Sequence, residues 1–83
     1  MSKQTYIVQF DDNKIGRRRD VPDLTVQIKD GENFGNTLAD KVEAYAAKYL
    51  ASKDIDVVVH YHGRGAVAAG YRQVAAFTWK GKD

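Results

Sequence analysis

Apolar and polar positions alternate along the first third of the chain, change to a three- and four-residue rhythm in the middle, and alternate again to the end. Thr5-Tyr6-Ile7-Val8-Gln9-Phe10 is β-branched and aromatic, with Tyr6, Val8 and Phe10 on one face. Turn-forming residues follow, Asp11-Asp12-Asn13-Lys14-Ile15-Gly16. Leu24-Thr25-Val26-Gln27-Ile28-Lys29 then gives the cleanest alternation, with Leu24, Val26 and Ile28 directed inward. Pro22 lacks a ladder N–H and suits the start or edge of this second strand. The two segments predict a hairpin with a long, basic connection.

The rhythm then becomes helical. Phe34, Leu38, Val42, Tyr45, Ala46, Tyr49 and Leu50 form one stripe and predict a helix over 34–52. Alanines at 39, 44, 46, 47 and 51 support it, and Ser52-Lys53-Asp54 ends it. Thr37-Leu38-Ala39-Asp40 matches a capping box, with a start at Asn33 as the alternative. A third strand is predicted over 55–62, with Ile55, Val57, Val59 and Tyr61 inward. A fourth is predicted over 74–80, with Ala75, Phe77 and Trp79 inward. Residues 63–73 read as a loose hairpin loop rather than a short helix on Val67, Tyr71 and Val74. Gly70 would cost such a helix about 1 kcal/mol.

The expected class is therefore α+β. Residues 1–83 form one compact domain of order ββαββ, with one helix on a four-stranded antiparallel or mixed sheet. The expected core is Tyr6, Val8, Phe10, Leu24, Val26, Leu38, Val42, Val59, Phe77 and Trp79. This order resembles the β-grasp arrangement of ubiquitin-like and small immunoglobulin-binding domains. The resemblance is one of topology and implies no function.

Composition narrows the chemistry. A chain of 83 residues buries only about 60–65% of its unfolded surface, and there is no cysteine to staple it. Thiolate chemistry, cysteine-bound zinc and iron–sulfur clusters are excluded. No signal-peptide core follows Met1, and no apolar run approaches membrane-spanning length, so the cytoplasm is the expected location. A net charge of +2 is too small to imply nucleic-acid binding. Its distribution says more. Lys14, Arg17, Arg18 and Arg19 crowd one connection, and Val57–Lys82 carries Arg64, Arg72, Lys80 and Lys82 without one acid.

Several groupings of residues could carry chemistry. His60-x-His62 puts two imidazoles about 6.6 Å apart on one strand face. A third ligand is wanting, because Asp56 lies about 13 Å away along the strand. No metal, cofactor or catalytic residue is expected, since neither Ser2 nor Ser52 has an activating partner. Gly63-Arg64-Gly65 offers backbone N–H groups and a guanidinium to an anion, although glycines in a hairpin connection usually serve positive φ. Arg17–Arg19 present planar forks suited to phosphate or carboxylate, with Asp11, Asp12 and Asp20 near enough to neutralise them. The open sheet face carries Ile7, Thr25, Gln27, Lys29, Val58, His60, His62, Thr78 and Lys80, with no aromatic platform for bases.

Two functions remain. The first is a non-catalytic protein-binding module, a small regulator or inhibitor of the kind encoded by bacterial or mobile genomes such as phages. Its contacts would be Lys14, Arg17, Arg18, Arg19, Arg64, Tyr71 and Arg72, because Tyr and Arg are enriched at binding hot spots. The alternative is a nucleic-acid-binding protein that grips phosphates through basic segments 14–19 and 63–72. The modest net charge favours a protein partner.

Overall fold

Helix α1, Phe34–Ala46, begins where the stripe predicts it but stops short of the expected 34–52, and it starts and stops by different devices. Its cap is Asn33, whose side chain accepts the Asn36 N–H at 2.9 Å, so Thr37 is already inside the helix. Past Ala46 the bonding tightens to three-residue closures, Lys48 N–H to Tyr45 C=O and Tyr49 N–H to Ala46 C=O. The computed structural model describes residues 3–50, 54–60 and 62–82. The expected helix end at Ser52-Lys53 and the inward Tyr61 lie outside the described residues.

Five strands, rather than four, make one antiparallel sheet: β1 Lys3–Phe10, β2 Leu24–Lys29, β3 Ile55–His60, β4 Arg64–Ala69 and β5 Arg72–Gly81. Their spatial order is β2-β1-β5-β4-β3, curled into a half-barrel. This overturns the ββαββ, four-stranded expectation and the β-grasp likeness with it. The difference lies in residues 63–73, which form a strand and a tight hairpin instead of a loose loop. Ala69 pairs with Arg72 across the two-residue turn Gly70-Tyr71. Gly70 takes φ +66° at the first turn position, the backbone a two-residue hairpin asks of glycine.

Strand β4 hides its alternation in small side chains. Gly65 and Val67 face the interior, while Arg64 and Ala66 face out. Gly65 is glycine for lack of space, because a Cβ there would overlap the Phe77 ring. The extra residue Val74 interrupts the β4–β5 register between Val67↔Ala75 and Ala68↔Gln73. Such a bulge bends the strand and increases its twist, which helps the sheet curl.

The helix packs along the concave side against both edge strands, β2 and β3. Leu38, Val42 and Ala46 are fully buried against Val8, Phe10, Val26, Val67 and Phe77. Aromatic contacts clamp both helix ends: Phe34 meets Tyr6 and Trp79 at 4.9 and 4.6 Å, and Tyr45 stacks on Phe10 at 5.9 Å. Trp79 also donates its indole N–H to His60 C=O at 3.3 Å, tying β5 to β3 beneath β4. Among the described residues no helix is long and apolar enough to cross a membrane.

Candidate functional site

The connection between β1 and β2 is a built structure rather than a solvated strap. Ile15 and Val21 are buried in the core, at 0% and 2% exposure, although the residues around them are turn-formers. Val21 N–H donates to Asn13 C=O at 2.8 Å and ties the neck of the loop. Inside the neck, Ile15 and Arg18 exchange both backbone bonds, at 3.1 and 3.0 Å, around Gly16-Arg17. Gly16 has φ +61°, so this tip repeats the glycine-first geometry of the Gly70-Tyr71 turn. Asp12 and Asn13 in succession, and Asp20 alone, also adopt positive φ, a region in which Asp and Asn are enriched among non-glycine residues.

The bulge anchors this loop to the sheet. Val74 gives its carbonyl to Gly16 N–H at 2.9 Å. On the helix side, Tyr45 O–H donates to Pro22 C=O at 2.8 Å. Burial, reinforced by the hydrogen bond and charge of Tyr49 and by Asp23, pushes the Tyr45 phenol up from 10.0 to about 12. Arg18 lies over the Tyr49 ring at 6.0 Å, a weak cation–π contact.

The predicted contact residues divide into three groups. Lys14, Arg17 and Arg19 stand exposed on the loop, and Arg18 beside them is held against Tyr49. Tyr71 is wholly exposed, and Arg72 follows it at the start of β5. Val74, which anchors the loop, is only two residues beyond Arg72, so the loop and the Gly70-Tyr71 turn share one end of the half-barrel. Arg64 stands apart. It rises from the convex face of β4 and pairs with Asp11 at 3.5 Å, both side chains being largely exposed. The neutralisation foreseen for Asp11 therefore falls on Arg64 and not on the arginine run. Such an exposed pair contributes about 0–1 kcal/mol.

Other expected constellations dissolve. His60 ends β3 and His62 lies in the turn that follows, so the two do not share a strand face. Among the described residues no group of three or more His, Asp or Glu is placed to hold a metal ion. The Gly63-Arg64-Gly65 cradle is absent as well. Arg64 and Gly65 belong to the β4 ladder, and Gly63 C=O accepts the Trp79 N–H at 2.8 Å.

The convex face is laid out in rows by the strand register. His60, Arg64, Thr78 and Gln9 form one row, and Val58, Ala66 and Ala76 the next. Tyr6, Phe10, Phe77 and Trp79 pack toward the helix, so the convex rows named here carry no Phe, Tyr or Trp ring on which a base would stack. Open depressions mark the described surface. One of about 270 Å³ lies between the loop and β5, lined by Asp11, Asp12, Lys14 and Gly16 opposite Gln73–Ala76.

Sequence reasoning missed the parts that hold the loop: Ile15, Val21, Tyr49 and the bulged Val74. Only Ile15 and Val21 carried a signal, as isolated β-branched residues in polar surroundings. Comparison of the chain with protein-family models, curated proteins and solved structures finds no match.

Proposed function

We propose that this chain is a non-catalytic protein-binding module whose contact surface is the end of the half-barrel bearing Lys14, Arg17, Arg19, Tyr71 and Arg72. One observation carries the reading. Ile15 and Val21 root the arginine loop in the core, so its guanidinium groups are displayed on a fixed base beside an exposed tyrosine. A preordered surface loses less conformational entropy on binding, and Tyr with Arg is the composition of interface hot spots. Asp11, Asp12, Asp20 and Asp23 flank the basic residues on both sides, which suits a partner of mixed charge better than a run of phosphates. The reading takes the protein to act in the cytoplasm without a cofactor.

The test removes charge and leaves the scaffold. Arg17→Ser with Arg19→Ser spares the Arg18–Tyr49 contact and touches no buried residue. The double variant is expected to lose partners captured by the wild type while its urea midpoint stays put, because exposed charges contribute little to folding. Retardation of DNA or RNA is the competing outcome. The log–log salt slope would then become shallower by about 0.9 per lost duplex contact. A variant that keeps every wild-type partner refutes the proposal.

A further inference from the structure

The half-barrel leaves two sheet edges, and they are treated differently. At the β2 edge, Lys29 stands opposite Lys3, and Lys41 of α1 lines the same depression of about 380 Å³. Pro22 sits just ahead of the strand. Lysines and proline are the usual guards against another chain adding to a sheet. The β3 edge, Ile55-Asp56-Val57-Val58-Val59-His60, has neither. It also carries Val58, 52% exposed and one of the two large apolar side chains most open to solvent among the described residues.

The backbone of that edge is set up to pair. Gly70 N–H donates to Asp54 C=O at 2.8 Å, which fixes the alternation of the β3–β4 ladder. Asp56, Val58 and His60 then turn their N–H and C=O groups toward β4, and Ile55, Val57 and Val59 turn theirs outward. Among the described residues no loop or side chain bonds to the outward groups of Val57 and Val59.

We propose that the chain forms a homodimer by pairing β3 antiparallel with β3 of a second copy, about a two-fold axis at Val58. In that register Val57 meets Val59 of the other copy through the outward-facing backbone groups, twice by symmetry. On the convex face Val58 meets its own copy, extending the apolar row of Ala76, Ala66 and Val58 across the axis. Asp56 meets His60 of the other copy, carboxylate against imidazole, also twice. These convex pairs are the non-hydrogen-bonded ones, where side chains come closest. Neighbouring registers lose the match. A centre at Asp56 opposes two carboxylates, one at Val57 sets Asp56 against Val58, and one at Val59 sets Val58 against His60. The second copy is favoured over an unrelated strand because the edge complements itself in charge, Asp56 against His60, and in apolar contact, Val58 against Val58. The proposal is independent of the arginine loop, which lies on the connection between β1 and β2.

A strand-edge contact is small, so the dimer belongs among weak, reversible associations. Sedimentation velocity from about 10 µM to about 1 mM is expected to show a monomer–dimer equilibrium. Val58→Lys, an exposed change that spares the concave core, should abolish it and leave the urea midpoint unchanged. His60→Asp sets like charges opposite each other twice and should weaken the dimer about tenfold. Adding Asp56→Lys to the same chain should restore it. Amide exchange at Val57 and Val59 should slow as concentration rises. A protein monomeric throughout the range overturns the proposal. So does a dimer indifferent to Val58→Lys, or a charge swap that fails to rescue, since each would place any association elsewhere.

Discussion

Replacing Ile15 by alanine tests whether the basic connection belongs to the core. Ile15 is fully buried, with Gly16 anchored to Val74 immediately after it. The substitution deletes three carbons, a transfer loss of about 2.4 kcal/mol at about 0.8 per buried methylene. The neck bond from Val21 to Asn13 and the bond from Gly16 to Val74 restrain collapse, so part of the void remains. Adding that cavity gives about 3–4 kcal/mol, within the span seen for such truncations. Total stability for a chain of 83 residues is about 4–12 kcal/mol, so this one loop residue should account for a large share. Urea unfolding followed by Trp79 fluorescence would read it as a midpoint lowered by about 3 M, taking a slope of about 1 kcal/mol/M. Arg17→Ser, two residues away and exposed, should move the midpoint hardly at all. An Ile15→Ala loss below about 1 kcal/mol would mean that the loop folds back without its anchor, and the rigid display of the arginines would fall with it.

Three further outcomes follow from the packing. Leu38→Ala should cost about 2–5 kcal/mol and Val42→Ala about half of that, measured by the same unfolding curves; solvent-facing behaviour at either site would contradict the helix orientation. Gly65→Ala must displace the Phe77 ring and should cost about 1–3 kcal/mol, whereas Ala66→Gly on the opposite face of β4 should cost no more than about 1. Tyr45→Phe removes the donor to Pro22 C=O and should cost about 0.5–1.5 kcal/mol in chemical denaturation at neutral pH. Because the folded phenol is raised from 10.0 to about 12, its contribution is intact below pH 10.0 and is lost as pH rises toward about 12. Tyr45→Phe should therefore lack part of the alkaline decline seen in the wild type.

Strong periodicity made β1, β2, α1, β3 and β5 legible, and small side chains hid β4, which left the strand count and topology wrong. In β1, β2 and α1 the inward positions are filled by large apolar residues such as Phe10, Val26 and Leu38, so alternation and stripe stand out against polar neighbours. In β4 the inward positions are Gly65 and Val67, and the outward ones Arg64, Ala66 and Ala68. Glycine and alanine are poor strand formers, and local propensity accordingly suggests a loop. What makes Arg64–Ala69 a strand is tertiary: Phe77 from β5 covers the bare Gly65 backbone, and β3 and β5 supply ladders on both sides. The one local signal was Gly70-Tyr71, a glycine-first pair between two short apolar runs. Reading it as a hairpin would have yielded the fifth strand and a sheet antiparallel throughout.

The site was legible in its charges and not in its rigidity, for a related reason. Arg17, Arg18 and Arg19 announce themselves by type, but whether they stand on a fixed base depends on residues that show no period. Ile15 and Val21 are six apart, a spacing that is no helical repeat and that strand alternation would place on one face only along an unbroken strand. They reach the same core because the chain reverses at Gly16-Arg17 and bends again at Asp20, both through left-handed backbone. Two buried anchors either side of a reversal have the same effect on an exposed tip as a short disulfide loop, restraining it from both sides. That restraint separates a displayed arginine cluster from a solvated one. Val74 adds to it by holding Gly16, and that role rests on an interrupted register in a different strand.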